Sequence, residues 1–239
     1  MINRNFKDFK FLHKKKRNQI LFTSKKIKGD KEILNLIENF LVEKNSFIFE
    51  SVEKGIIKGR YTIFGKQPDK IWEFNNSKSF YINKENKKKK IKGDPKKIIE
   101  NLIENFKFNI PSDLPPICSL LSGYFSYDCI RYLEKIPNKC KDDLNLPDVR
   151  LLRPRILVIH DNLKKKIFYI VNVYKDEKIS NYKKKYAEIK KEIQNLIYQA
   201  SDKSNKNINF KSSKKIIVKS NTSKKKFLNM VNKAKKYIK

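Results

Sequence analysis

The chain has 239 residues, enough for one large domain or two small ones, and its 39% apolar and 12% aromatic content excludes a disordered tail. It contains no run of about 18 apolar residues that would span a membrane, and its start, MINRNFKDFKFLHKKKR, has no apolar stretch of the secretory kind, so the expected compartment is the cytoplasm. The formal charge of +32 invites a nucleic-acid partner, but only 7 of the 57 basic residues are Arg, and Asn, Ile, Phe and Tyr abound while Ala (3) and Gly (6) are scarce.

That joint shift is the mark of A/T-rich codons rather than of a phosphate-binding surface. The lysines are spread over the whole chain, so no specific nucleic acid is expected, only non-specific adhesion to anions at low salt.

Residues 1–27 are basic, with Ile20-Leu21-Phe22 as a candidate strand. Asp30 can cap a helix running to about Lys44, with Ile33, Ile37, Phe40 and Leu41 as its buried stripe. A meander follows over Ser46–Val52, Arg60–Phe64, Lys70–Phe74 and Ser79–Ile82. Its separators Lys54-Gly55, Gly65-Lys66-Gln67-Pro68-Asp69 and Asn75-Asn76 are turn chemistry, and such short links imply antiparallel pairing.

Lys87–Lys92 reads as a lysine-rich loop, and Asp94-Pro95 opens a helix with Ile98, Ile99, Leu102, Ile103 and Phe106 along one side. After a break at Pro111–Pro116, Ser119–Phe125 is predicted as a strand, Tyr127–Lys135 as a helix and Pro137–Pro147 as a loop. Arg155–Asp161 and Lys166–Tyr174 form a hairpin through Asn162-Leu163-Lys164-Lys165. Lys178–Ile197 is a helix with Tyr182, Tyr186, Ile189, Ile193 and Leu196 on one face, and Ser201–Ser213 is a polar linker. A last helix, capped by Thr222 or Ser223, carries the stripe Phe227, Val231, Ala234 and Ile238 to the end. The sum is an α+β chain, mainly antiparallel sheet with packed helices.

Catalytic sets are missing from this pattern. It has no P-loop, no GxGxxG and no HExxH. Cys118, Cys129 and Cys140 sit at no zinc-binding spacing and read as reduced thiols in or near a core. Asp142-Asp143 reads as surface charge in a lysine-rich loop.

Three segments go further. The first is Phe47-Ile48-Phe49-Glu50-Ser51-Val52-Glu53, followed by Gly59-Arg60-Tyr61-Thr62-Ile63-Phe64-Gly65 and Pro68-Asp69. The second is Leu114-Pro115-Pro116, then Gly123-Tyr124-Phe125-Ser126-Tyr127-Asp128, Arg131 and Glu134. The third is Leu146-Pro147-Asp148, Arg153-Pro154 and the hairpin with Asp161. In order and spacing these resemble the amino-terminal half of anthranilate synthase component I, over about residues 30–239. The tail from Ser220 to Ile238 is similar to the helix that opens that family's chorismate-binding domain.

The resemblance implies a feedback site for L-tryptophan at Glu50, Ser51 and Arg60. Glu50 would pair with the ammonium, Ser51 would hydrogen-bond, and Arg60 would hold the carboxylate. Without the resemblance, Glu50 and Ser51 are ordinary residues of a solvated strand face. The second motif reads structurally: Gly123 for a close backbone approach, Tyr124 and Tyr127 in the core, and Asp128, Arg131 and Glu134 as helix ion pairs.

The resemblance also divides the chain into a basic segment (1–27), a regulatory domain (28–200), a linker (201–219) and the first helix (220–239) of a chorismate-binding half that is otherwise missing. The family is a lyase acting on chorismate. It uses Mg²⁺ and ammonia from a glutamine amidotransferase subunit, component II, and its catalytic residues lie in the missing half. No catalytic residue and no metal ligand is therefore expected here, and the chain alone should not make anthranilate. Two rivals stand beside this reading: an aminodeoxychorismate synthase component I-like fragment and a basic nucleic-acid-binding protein.

Overall fold

A computed structural model describes residues 2–27, 31–50, 59–75, 78–138, 142, 144–201 and 220–238. The chain divides into two compact units, Met1–Asp202 and Lys203–Lys239.

The first unit is built on one eight-stranded sheet. Its strands are β1 (Gln19–Lys26), β2 (Phe47–Phe49), β3 (Tyr61–Asn75), β4 (Lys78–Asn83), β5 (Lys88–Ile91), β6 (Ser122–Phe125), β7 (Val149–Asp161) and β8 (Lys166–Val173). The main order is β1-β8-β7-β3-β4-β5, with β2 added to β3 and β6 added to β7. Every pairing is antiparallel. The helices are α1 (Phe6–Lys14), α2 (Lys31–Leu41), α3 (Pro95–Asn105) and α4 (Tyr182–Ser201). The α+β, mainly antiparallel expectation holds.

Side chains alternate across a strand, so each central strand feeds two layers. Leu21, Phe64, Val158, Tyr169 and Val171 face Phe9 of α1, Leu36 and Phe40 of α2, and Ile189, Ile193 and Leu196 of α4. Their neighbours Ile20, Phe22, Ile63, Leu157, Ile159 and Ile170 point the other way, onto Leu114 and Cys118. Both faces are covered, which is why Ile156–Ile159 of β7 and Ile167–Val171 of β8 read as unbroken apolar runs. A third cluster joins Trp72, Phe74, Val149 and Leu151 to Ile98, Ile99 and Leu102 of α3. Asp94 caps α3 by accepting from the Lys97 N–H at 3.1 Å.

Several expectations need correcting. The amino-terminal segment contains a helix, α1, capped by the Asn5 side chain, which accepts from the Asp8 N–H. Its inward stripe is Phe6, Phe9 and His13, too short to show among lysines.

Gly65–Asp69 is not a turn between two strands but the middle of the 15-residue strand β3. The turn chemistry is absorbed by a bulge. Gln67 adopts φ +51°, and the register against β7 shifts between Pro68 and Lys70. Pro68 sits opposite Pro154, so neither central strand loses a ladder bond to a non-proline partner.

Lys88–Ile91 is a strand rather than a loop, and its lysines suit a sheet edge. The strand predicted from Ser119 starts at Ser122, and the helix predicted over Tyr127–Lys135 is a 3-10 segment, Tyr127–Tyr132. Tyr124 and Tyr127 do not fill the core: they are 39% and 88% exposed.

The second unit contains α5 (Lys224–Ile238), capped by Ser223, whose hydroxyl accepts from the Lys226 N–H at 3.3 Å. The helix buries no residue, and Phe227, Val231 and Ile238 are exposed along it. Among the described residues no helix is long and apolar enough to cross a membrane.

Candidate functional site

The two stretches singled out for an effector lie side by side. β2 pairs with β3 through Phe47↔Gly65, Ile48↔Phe64 and Phe49↔Ile63. Glu50 follows Phe49 directly and Arg60 precedes Tyr61, so both stand at the same end of the β2–β3 ladder. Glu50 is exposed there, while Ser51 lies outside the described residues.

Gly65 fixes this pairing. The Phe47 ring lies over it, and a Cβ at that position would come within 2.1 Å of the ring. A side chain there would force the Phe47 ring to move.

Arg60 is held by Asp161. Nε donates to Oδ1 at 3.1 Å and an Nη donates to Oδ2 at 2.7 Å, a bidentate fork. The guanidinium also lies 4.9 Å from the Tyr61 ring centre. Asp161 ends β7 and caps the hairpin turn: its Oδ1 accepts from the N–H groups of Leu163 and Lys164, both at 3.0 Å. Burial pushes the Asp161 carboxyl up, but the Arg60 fork and those two N–H groups together hold it below the usual carboxylate range. The Arg60 guanidinium is raised by the same hydrogen bonds.

Arg60 therefore presents a fixed, partly exposed cation rather than a swinging one. Its partner stands 101 residues away, and its role was not visible in the sequence.

The first and third motifs also meet. Across the bulge, Arg153 pairs with Lys70, and its fork grips Asp69, with Nε donating to Oδ1 at 2.7 Å. A second carboxylate, Asp176, accepts from the same guanidinium at 3.0 Å. The guanidinium stacks 3.9 Å from the Tyr174 ring centre. The Tyr174 hydroxyl donates to the Pro154 carbonyl at 2.6 Å, and the Asn172 amide donates to it at 3.1 Å. Desolvation raises the Asp69 carboxyl despite Arg153. A cavity of about 750 Å³ opens beside this cluster, lined among others by Asn45, Asp69, Lys70, Arg155, Asp176 and Lys185. The Pro68-Asp69 and Arg153-Pro154 pairs thus build the sheet, and their signal was legible as motif but not as contact.

In the second motif the close-approach reading of Gly123 is right: a Cβ there would fall 1.8 Å from the Arg150 carbonyl oxygen. Asp128 and Arg131 form their ion pair, with Nε donating at 3.0 Å. Of the three cysteines, Cys118 is buried, its thiol pushed up by burial to about 11, and Cys129 is half-buried. Cys140 lies outside the described residues. Among the described residues no group of three or more His, Cys, Asp or Glu side chains converges to hold a metal ion.

A family model described as chorismate binding enzyme matches residues 45–239. Anthranilate synthase component 1 of Acetivibrio thermocellus is 33% identical over 210 residues, which cover 86% of this chain and 42% of that protein. The protein of the same name from Cereibacter sphaeroides is 33% identical over 165 residues, 67% of this chain and 33% of that one. The crystal structure of anthranilate synthase component I from Streptococcus pneumoniae TIGR4 aligns over 66% of this chain and 34% of its own, with a TM-score of 0.44 and 21% identity. The chain spans between about a third and two fifths of the length of these relatives.

Proposed function

The chain belongs to the chorismate binding enzyme family, and from that premise we propose that it serves as the amino-terminal, regulatory part of an anthranilate synthase component I and contributes its L-tryptophan feedback site. The observation that carries the reading is the pairing of β2 with β3, which sets Glu50 and the fixed cation of Arg60 at one end of one ladder. An amino-acid effector needs both charges. Glu50 pairs with the ammonium, Arg60 offers its remaining N–H groups to the carboxylate, and Ser51 adds a hydrogen bond. The identity to anthranilate synthase component 1 from two bacteria supports the same assignment.

The activity is that of the assembled enzyme: chorismate to anthranilate with ammonia from component II, and Mg²⁺ with the catalytic residues supplied by a chorismate-binding half. Tryptophan acts by binding one state of the assembly better than the other, and inhibition follows from that difference.

The test is a chimera in which this chain replaces the stretch of the Acetivibrio thermocellus component 1 that it matches. The chimera should form anthranilate and be inhibited by L-tryptophan, and Ser51→Phe should relieve that inhibition with turnover largely intact. An active chimera indifferent to tryptophan would remove the effector role, and inhibition unchanged by Ser51→Phe would remove Ser51 from the site.

A further inference from the structure

Arginine is rare among the 57 basic residues, 7 in all, so drift toward lysine does not account for those that remain. Five of them are ion-paired with a carboxylate: Arg60 with Asp161, Arg131 with Asp128, Arg150 with Glu73, Arg153 with Asp69 and Arg155 with Glu192. Of the other two, Arg4 is half-buried, and its carbonyl accepts from the Tyr186 hydroxyl at 2.7 Å. Arg17 is exposed and has no carboxylate partner among the described residues.

Arg17 lines a cavity of about 410 Å³ together with Lys16, Asn18, Glu104, Lys107 and Lys175, among others. That size falls in the range of small-molecule sites. The wall comes from three places in the chain, and Asn18 ties them together. Its Nδ2 donates to the Lys107 carbonyl at 2.8 Å, and its Oδ1 accepts from the Lys175 N–H at 2.9 Å. Both bonds go to backbone, so they leave the surrounding cations uncommitted. None of Lys16, Arg17, Lys107 and Lys175 forms an ion pair among the described residues, with Glu104 or any other acid. The larger cavity beside the bulge differs, since Lys70, Arg155 and Lys185 there are each taken by a carboxylate.

Charge sets the ligand. The cavity lies at the carboxy-terminal ends of α1 and α3, which finish at Lys14 and Asn105. Each helix end brings about half a negative charge. Together with Glu104 they reduce the four cations to about +2. A dianion balances that surplus, and a single carboxylate does not. A phosphoryl group carries about −1.5 to −2 at neutral pH on oxygens that accept from a guanidinium fork and from ammonium groups.

We propose that this cavity binds a phosphate monoester of a small molecule, with Arg17 gripping the phosphoryl oxygens and Lys16, Lys107 and Lys175 completing the charge around them. The site uses none of Glu50, Ser51 and Arg60, so it stands independently of the tryptophan reading.

An amide NMR titration of the full 239-residue chain tests it, with glycerol 3-phosphate and inorganic phosphate as probes. It is run at about 150 mM sodium chloride, where diffuse attraction is screened. Amides at residues 16–18, 107 and 175 should shift and saturate, with a Kd on the order of 0.1–1 mM for glycerol 3-phosphate and a weaker one for inorganic phosphate. Arg17→Gln should weaken binding at least about tenfold, with circular dichroism unchanged because the side chain is exposed. Arg17→Lys keeps the charge without the fork and should fall between. Lys89→Gln removes the same charge from the edge strand β5 and should leave Kd within about twofold. Shifts that never saturate, or that spread over the lysine-bearing surface, overturn the proposal. So does a loss on Lys89→Gln equal to that on Arg17→Gln, which would show diffuse attraction alone. Inorganic phosphate binding as tightly as the ester would overturn the monoester assignment.

Discussion

Single residues decide where this sheet can be continuous, and two of them invite direct tests. At Gly123 a methyl group would meet the Arg150 carbonyl oxygen at 1.8 Å, and the obstacle is backbone, which cannot rotate away. Gly123→Ala should cost about 3 kcal/mol, the upper range for overpacking, read as a lowered urea midpoint. An unchanged midpoint would mean that β6 does not lie this close to β7.

At Asp161 the argument is one of charge. Its folded pKa sits below the unfolded value, so the ionised carboxylate adds stability above about pH 4, which is lost as pH falls through the folded value. Asp161→Asn keeps an acceptor for the Leu163 and Lys164 N–H groups but loses the charge. The variant should be less stable than the parent at pH 7, and the gap should close as the pH falls through the folded value. A gap that persists in acid would show that shape, not charge, holds Arg60.

At the level of elements, what could be read in advance depended on how local the cause was. The β7–β8 hairpin was legible because two apolar runs flank Asn162-Leu163-Lys164-Lys165, three of whose four residues are polar. The α3 start was legible because Asp94 and Pro95 carry their own signal. The continuity of β3 was not, since Gly65-Lys66-Gln67-Pro68-Asp69 is turn chemistry by any local rule. What straightens it lies far along the chain: Pro154 faces Pro68, and Arg153 reaches back to Asp69. The same holds at the candidate site. Glu50 and Arg60 stood out through their motifs, but the partner that fixes Arg60 came from another strand.

The bulge cluster gives a test at this scale. Arg153→Leu leaves the desolvated Asp69 carboxylate without its fork, and breaking a buried pair from one side costs about 3–5 kcal/mol. Replacing both, with Asp69→Leu added, should recover a large part of that loss. If the single variant is as stable as the parent, the arginine is ornamental to the sheet.

For the whole molecule the governing quantity is the charge. With 57 basic and 25 acidic residues, the cations outnumber the anions by 32. Ion pairs such as Lys88–Glu73 and Lys87–Glu85 lie at the surface, where each is worth at most about 1 kcal/mol and weakens with salt. The repulsion among the surplus lysines is long-ranged and weakens with salt too, which favours the compact state. The two trends oppose each other, and the imbalance of charge decides for repulsion. Melting temperature should therefore rise by several degrees as sodium chloride goes from about 20 to 300 mM, where about 1 kcal/mol corresponds to roughly 2–4 °C in a domain of this size. A melting temperature that falls over that range would mean the surface pairs outweigh the surplus, and the lysines would then have to be read as placed rather than merely tolerated.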